Sequence, residues 1–260
     1  MSETAELAHL FRALKAPAAA RSLPKLAERA RAEEWSYERF AEALLASEVA
    51  SRSSSGGELR IRAARFPARK SLEEFDFTFA RSLKKAAVLH LAQLDFLHAR
   101  ENVVLLGPPG TGKTHLATAL GVVAAHHGHR VLFATAVDWV SRLTEAHRHG
   151  KLPAELARLR RYGMIIIDEV GYLPFEQDAA NLVFQLVSSR YEHASLILTS
   201  NLPFSSWGGV FGDQAVAAAM IDRIVHHADV LSLKGASYRL RNRGIDTLPS
   251  VRAGTDNPDN

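Results

Sequence analysis

Cysteine is missing from all 260 residues, which excludes disulfide staples, zinc ribbons and thiol nucleophiles. Long apolar runs are missing as well: no stretch approaches the roughly 20 residues that span a bilayer. Acids at Glu3 and Glu6 interrupt the start of the chain, so no secretory leader is expected. The chain reads as soluble and cytoplasmic, with no membrane partner. No H-E-x-x-H occurs, and the pairs His126-His127 and His226-His227 would point apart on a helix, so no protein-only metal cage is expected. Internal repeats and heptad arrays are absent too. What remains is ordinary globular composition, 47% hydrophobic and 23% charged, enough for one large domain or a medium one with a small companion.

Against that background one stretch stands out. Gly107-Pro108-Pro109-Gly110-Thr111-Gly112-Lys113-Thr114 fits the phosphate loop G-x-x-x-x-G-K-[ST] at every fixed position. Val103 to Leu106 before it reads as a short buried strand, and the residues from His115 onward read as a helix. In that setting backbone N–H groups and the helix N-terminus, with His115 in its first turn, face a phosphate chain. Lys113 is expected on the β- and γ-phosphates, and the Thr114 hydroxyl on Mg²⁺. A nucleoside triphosphate is expected to bind here.

Further strands are expected at 130–134, 164–168, 195–200 and 229–233, after the first at 103–106. Runs such as Met164-Ile165-Ile166-Ile167 do not alternate, which suits parallel strands buried on both faces. The third strand ends in Asp168-Glu169. The first acid is expected to hold Mg²⁺ with Thr114, and the second to orient or deprotonate a water. Two adjacent carboxylates in an apolar setting call for a divalent cation between them and the phosphates. The fourth strand ends in Thr199-Ser200-Asn201. There Asn201 is the first candidate to touch the γ-phosphate or the water and Thr199 the second; the alternative is a plain polar turn before Pro203.

Charge is uneven along the chain. Residues 1–70 hold 13 Lys and Arg against 9 Asp and Glu, whereas the other 190 hold 19 of each. Within 52–70 stand Arg52, Arg60, Arg62, Arg65, Arg69 and Lys70 against Glu58 alone. Such a segment attracts phosphate backbones, or is simply a solvated linker. Second basic clusters are Arg158, Arg160 and Arg161, and His147 to Lys151. Helices are expected over 5–15, 23–50 and 79–98. The run Ser51 to Gly57 reads as a loop or hinge, and 71–78 as the approach to the next domain. The division expected is a helical, basic N-terminal domain at 1–70, an ATPase domain at 71–245 and a disordered tail at 246–260.

Asp168-Glu169-Val170-Gly171, Arg190-Tyr191-Glu192, Thr199-Ser200-Asn201, Trp207, Phe211-Gly212-Asp213, Ile221-Asp222-Arg223-Ile224, His226 and Gly235 to Arg239 follow the phosphate loop in order. Together, over roughly 58–243, they resemble the IstB-type helper ATPases of bacterial insertion sequences, an AAA+ branch close to the DnaC helicase loaders. The resemblance implies an α/β three-layer P-loop (AAA+) sandwich with a central parallel sheet behind a small helical domain. It implies an ATP-dependent homo-oligomer, ring or filament, that binds duplex DNA, selects or remodels a target site and stimulates a cognate transposase. By the same resemblance Arg223 is the candidate arginine finger for a neighbouring subunit, and Arg239 a candidate second nucleotide sensor, with Arg241 and Arg243 close by. Only 21 residues follow Arg239, so a complete helical lid domain is not expected. The rival readings are a replicative helicase loader, a small-molecule kinase and a non-hydrolysing switch.

Overall fold

The computed structural model describes residues 3–243, so the tail expected at 246–260 lies outside the described residues. Five parallel strands form one sheet in the order β2-β3-β4-β1-β5. They are β1 (Asn102–Leu106), β2 (Val131–Thr135), β3 (Met164–Val170), β4 (Ser195–Ser200) and β5 (Ala228–Ser232). Each lies within two residues of its expected bounds; the buried strands β1 to β4 show in the sequence as apolar runs, whereas β5 at the sheet edge is largely exposed.

Alternate side chains of these strands feed two separate cores. Val103, Leu105, Ile166 and Ile197 pack on one face beneath α6 (Lys113–His126). Val104, Ile165, Ile167 and Leu198 pack on the other beneath α7 (Ala136–Arg148), α8 (Leu152–Leu159), α9 (Gln177–Arg190), α10 (Trp207–Phe211) and α11 (Gln214–Val225). The result is the three-layer sandwich. Helix α6 is buried nearly all round, because a third element covers its outer side.

That element is α3 (Tyr37–Ala64), which corrects the expected loop at Ser51 to Gly57: the helix runs straight through it. Glycine costs a helix about 1 kcal/mol relative to alanine. Here it permits close approach, since a Cβ on Gly57 would stand 2.5 Å from His126 Nδ1. The Arg60 Nε then donates to the Ala125 carbonyl at the end of α6, at 2.7 Å. The helical module and the ATPase core therefore share one continuous helix.

In front of it, α1 (Glu3–Ala13) and α2 (Pro17–Ala32) are joined through one turn of α3. Glu48 accepts from the Ala18 and Ala19 N–H groups at 2.8 and 3.0 Å, closing the N-terminus of α2. Arg52, one turn on, pairs with Glu48 at 2.9 Å and donates to the Leu14 and Lys15 carbonyls beyond α1. Both charges sit at the helix ends that favour them.

The single helix expected over 79–98 is instead α4 (Lys85–Leu91) and α5 (Asp95–Ala99), parted at Leu94 with φ +68°. Residues 65–84 form an irregular strap. Asp76 Oδ1 accepts from the Thr78 and Phe79 N–H groups, a local turn that competes with helix. After β5, a short turn (Tyr238–Arg243) returns to the phosphate loop.

Candidate functional site

The phosphate loop leaves the C-terminal end of β1 and enters α6 with no break in register. Gly110 sits at φ +80°, where a side chain is strained. A Cβ there would also stand 2.0 Å from Ser237 Oγ, so the close return of the C-terminal turn requires glycine. Tyr238 N–H donates to the Gly110 carbonyl at 2.9 Å. Thr111 Oγ1 donates to Pro108 O at 2.8 Å, and Lys113 Nζ donates to the Gly107 and Pro108 carbonyls at 2.6 and 2.8 Å. Burial pushes the Lys113 ammonium below its ordinary value; the Asp168 charge opposes that shift and Arg239 adds to it.

Across the loop lies the acidic end of β3. Thr114 Oγ1 is 3.0 and 3.1 Å from the two Asp168 carboxylate oxygens. Ile167 pairs with Leu198 and Val170 with Ser200, so Asp168 and Glu169 together face the single residue Thr199. This is a bulge, and it separates the two acids. Asp168 is buried at 4% exposure, whereas Glu169 turns outward, exposed, through a left-handed φ of +63°. Thr199 holds both: its hydroxyl donates to Asp168 Oδ1 at 2.5 Å and accepts from the Glu169 N–H at 2.9 Å. Non-glycine residues in this backbone region cost energy and mark places where surrounding structure dictates the aim of a side chain.

These groups open on a cavity of about 530 Å³, within the size range of small-molecule sites. Gly110 to His115, Asp168, Glu169 and Arg239 line one side, and the strap and Tyr238 the other. The strap side was missed in the sequence. Phe75 and Phe79 face the cavity; Phe79 meets Tyr238 edge to face at 5.2 Å, and Phe75 meets His115 at 5.4 Å. His115 Nε2 also contacts the Ser71 carbonyl at 2.7 Å. Asp76 binds Arg241 at 2.9 Å, tying strap to C-terminal turn. The alternation Phe75, Phe77, Phe79 was the available signal for an apolar wall. A glycine-rich loop opening a helix at one end and aromatic faces at the other suit a nucleotide. The adjacent Thr114 hydroxyl and Asp168 carboxylate are hard oxygen donors of the kind Mg²⁺ takes alongside phosphates.

Two expected residues stand elsewhere. Asn201 is half-buried beyond the end of β4 and does not line the cavity, so Thr199 is the residue in contact with the acids. Arg223 lies in a cleft beside Asn102, at the start of β1, with its guanidinium over the Phe184 ring at 4.3 Å. About 13 Å of strand separates that end of β1 from the phosphate loop.

The basic clusters are partly consumed by the fold. Arg52 and Arg60 cap helix ends, and Arg69 pairs with Glu58 at 2.8 Å. Arg158 pairs with Glu155, and Arg148 with Glu145. Arg62, Arg65, Lys151, Arg160 and Arg161 stay exposed, with no acid within ion-pair distance among the described residues. No described helix is long and apolar enough to cross a membrane.

Solved structures share the architecture. An AMPPCP-bound DnaA from Aquifex aeolicus overlays with a TM-score of 0.53 at 20% identity, covering 65% of this chain and 51% of that one. A DnaI structure overlays at 0.50 with 19% identity, covering 65% and 90%. At such identity these likenesses speak for the P-loop AAA+ fold alone. Sequence relatives go further. The insertion sequence IS21 ATP-binding protein of Pseudomonas aeruginosa is 44% identical over 92% of this chain and 90% of its own. The IS5376 counterpart of Geobacillus stearothermophilus is 40% identical over 89% and 92%. The family described as IstB-like ATP binding protein matches residues 9–245, and the chain belongs to that family.

Proposed function

We propose that this chain is an ATP-hydrolysing, DNA-binding helper of an insertion-sequence transposase, working as an assembly of copies on duplex DNA. The observation that carries the reading is the placement of its charges at two ends of one sheet. Asp168, Glu169, Thr114 and Lys113 gather at the C-terminal end of β1, β3 and β4, while Arg223 stands at the opposite end. An arginine so placed serves a nucleotide only if that nucleotide belongs to another copy. Such a heterologous contact builds rings or filaments.

In the hydrolysis proposed, Glu169 orients a water against the γ-phosphorus and takes its proton. The water oxygen bonds to phosphorus as the bond to the β–γ bridging oxygen breaks, and ADP leaves with that electron pair. Lys113 and Arg223 balance the negative charge on the transferring group, and Thr199 keeps both acids in place. Mg²⁺ held by Thr114 and Asp168 would neutralise charge on the β- and γ-oxygens. Arg239 is proposed to face the phosphates from the C-terminal turn, and Asn201 to contribute through water at the end of β4. The free cations Arg62, Arg65, Lys151, Arg160 and Arg161 are proposed to meet the DNA backbone. Binding by phosphate contacts predicts a steep salt dependence and weak sequence preference.

Steady-state ATP hydrolysis with and without long duplex DNA, with Lys113→Ala as blank, tests the reading. Glu169→Gln should bind ATP and lose turnover; Arg223→Ala should bind ATP and lose turnover by about 10³-fold or more. Stimulation by duplex, with large sedimenting species only when ATP is present, is the expected result. Response to single strands alone would favour a helicase loader, and indifference to all DNA a small-molecule kinase.

A further inference from the structure

The cleft that holds Arg223 contains more cationic charge than one arginine finger explains. Arg100, Arg190 and Arg223 stand in its wall with Tyr191 and His227, and Glu192 is the single acid there; Asp222 is nearby on α11. None of the three guanidinium groups makes an ion pair among the described residues. Arg223 rests on the Phe184 ring, and Arg100 Nη1 donates to the Glu192 carbonyl at 3.0 Å. Arg190 is 1% exposed; it donates to the Leu159, Tyr162 and Ser195 carbonyls, and its Nε has no partner. Burial lowers its pKa to about 10, so it keeps its charge at neutral pH.

Three guanidinium groups held by carbonyls and a ring, against Glu192 in the wall and Asp222 nearby, leave a net positive field, and that field favours an anion at the mouth of the cleft. The free volume is about 10 Å³, room for one oxygen-sized group and not for a nucleotide. It suits the outer edge of a phosphoryl group presented by another body.

Resting on the trans-arginine reading above, we propose that this cleft is a built receptor for the terminal phosphate held by the neighbouring copy, and that Arg100 is a second trans cation beside Arg223. Arg100 is the available partner because it is exposed and tied only to a backbone carbonyl; Arg190 is too deep to touch a ligand and acts through its charge. Arg100 follows α5 at φ +62°, and that turn brings it to the cleft from an element that the resemblance does not mark.

Arg100→Gln separates charge from structure, because glutamine can still donate to the Glu192 carbonyl. The expected result is unchanged ATP binding with turnover lowered roughly 10- to 100-fold, less than for a rigid oxyanion donor since Arg100 is solvated. Mixing then decides the subunit. In mixtures of Arg100→Gln and Glu169→Gln chains, some interfaces pair an intact Glu169 with an intact Arg100, and activity should return. Wild-type turnover in Arg100→Gln overturns the proposal. So does a failure to recover on mixing when Arg223→Ala with Glu169→Gln does recover, a result that leaves the trans-arginine reading standing. Recovery by neither mixture removes that reading as well.

Discussion

Thr199→Val is the substitution whose cost the geometry fixes most closely. Valine has nearly the shape of threonine, so the buried site at 1% exposure stays filled and no cavity opens. What goes is the hydroxyl. Asp168 loses a donor at 2.5 Å, and the Glu169 N–H loses its acceptor at 2.9 Å. A hydrogen bond to a charged group contributes about 1.5–3 kcal/mol, and an orphaned backbone donor costs about 1–3 kcal/mol when fully buried. The Glu169 N–H is only partly buried, so the lower half of each range applies, and the sum is about 2.5–4 kcal/mol. Part of that falls on the bulge that holds Glu169 at φ +63°, so the aim of its carboxylate should loosen. Urea unfolding should show the midpoint fall, and Thr199→Ser, which keeps the hydroxyl, should restore most of it. Single-turnover hydrolysis should slow about 100-fold while ATP affinity stays within a few-fold, as for loss of one positioned group. Wild-type stability within about 0.5 kcal/mol, together with wild-type turnover, would refute the claim that Thr199 organises the acids.

Gly110→Ala should fold normally but bind ATP at least about tenfold more weakly. The left-handed conformation alone costs about 1–2 kcal/mol for alanine, and the methyl must displace Ser237 from 2.0 Å; titration with a fluorescent ATP analogue checks it. Glu48→Gln should flatten the acid limb of the melting curve. The Ala19 N–H first, then Arg52 and the Ala18 N–H, hold the Glu48 carboxyl below its ordinary value of 4.5. A depressed folded-state pKa stabilises above that value and is lost as pH falls through the lower one, so wild type and variant should converge in acid and differ near neutrality. Gly57→Leu should drive α3 from α6 and cost about 1–3 kcal/mol through overpacking, read by thermal melting.

What the sequence showed and what it hid divide along a physical line. The five strands and the phosphate loop are local patterns: an apolar run and a fixed spacing need no knowledge of partners. The bulge at Asp168 and Glu169 is a property of pairing with β4, so nothing in Met164 to Val170 alone announces it. Asn201 outranked Thr199 for the same reason, since only register brings the Thr199 hydroxyl to both acids. The serines and glycines of 51–57 carry a flexible composition, yet their glycine serves a helix contact with His126 that composition does not encode. The basic segment hides its structure in a third way. Counting charges treats them as free, but Arg52, Arg60 and Arg69 are each bound within the fold.

The strap and the C-terminal turn close over the cavity. Tyr238 N–H binds the Gly110 carbonyl, Ser82 Oγ accepts from the Lys234 N–H at 2.7 Å, and Arg241 holds Asp76. These contacts join the loop that grips phosphate to residues 65–84, which run on from the end of α3. A shift of Tyr238 and Arg239 on nucleotide binding would therefore reach α3 through the strap, and α3 carries the caps of α1 and α2. Coupling by a chain of packed elements requires that breaking one link leave both ends folded but independent. Asp76→Asn breaks such a link at an exposed ion pair worth about 1 kcal/mol or less, so the fold should survive. Hydrogen exchange at α1 and α2 should respond to ATP in the wild type and not in the variant. A response of equal size in both would show that the nucleotide site and the helical module communicate by another route.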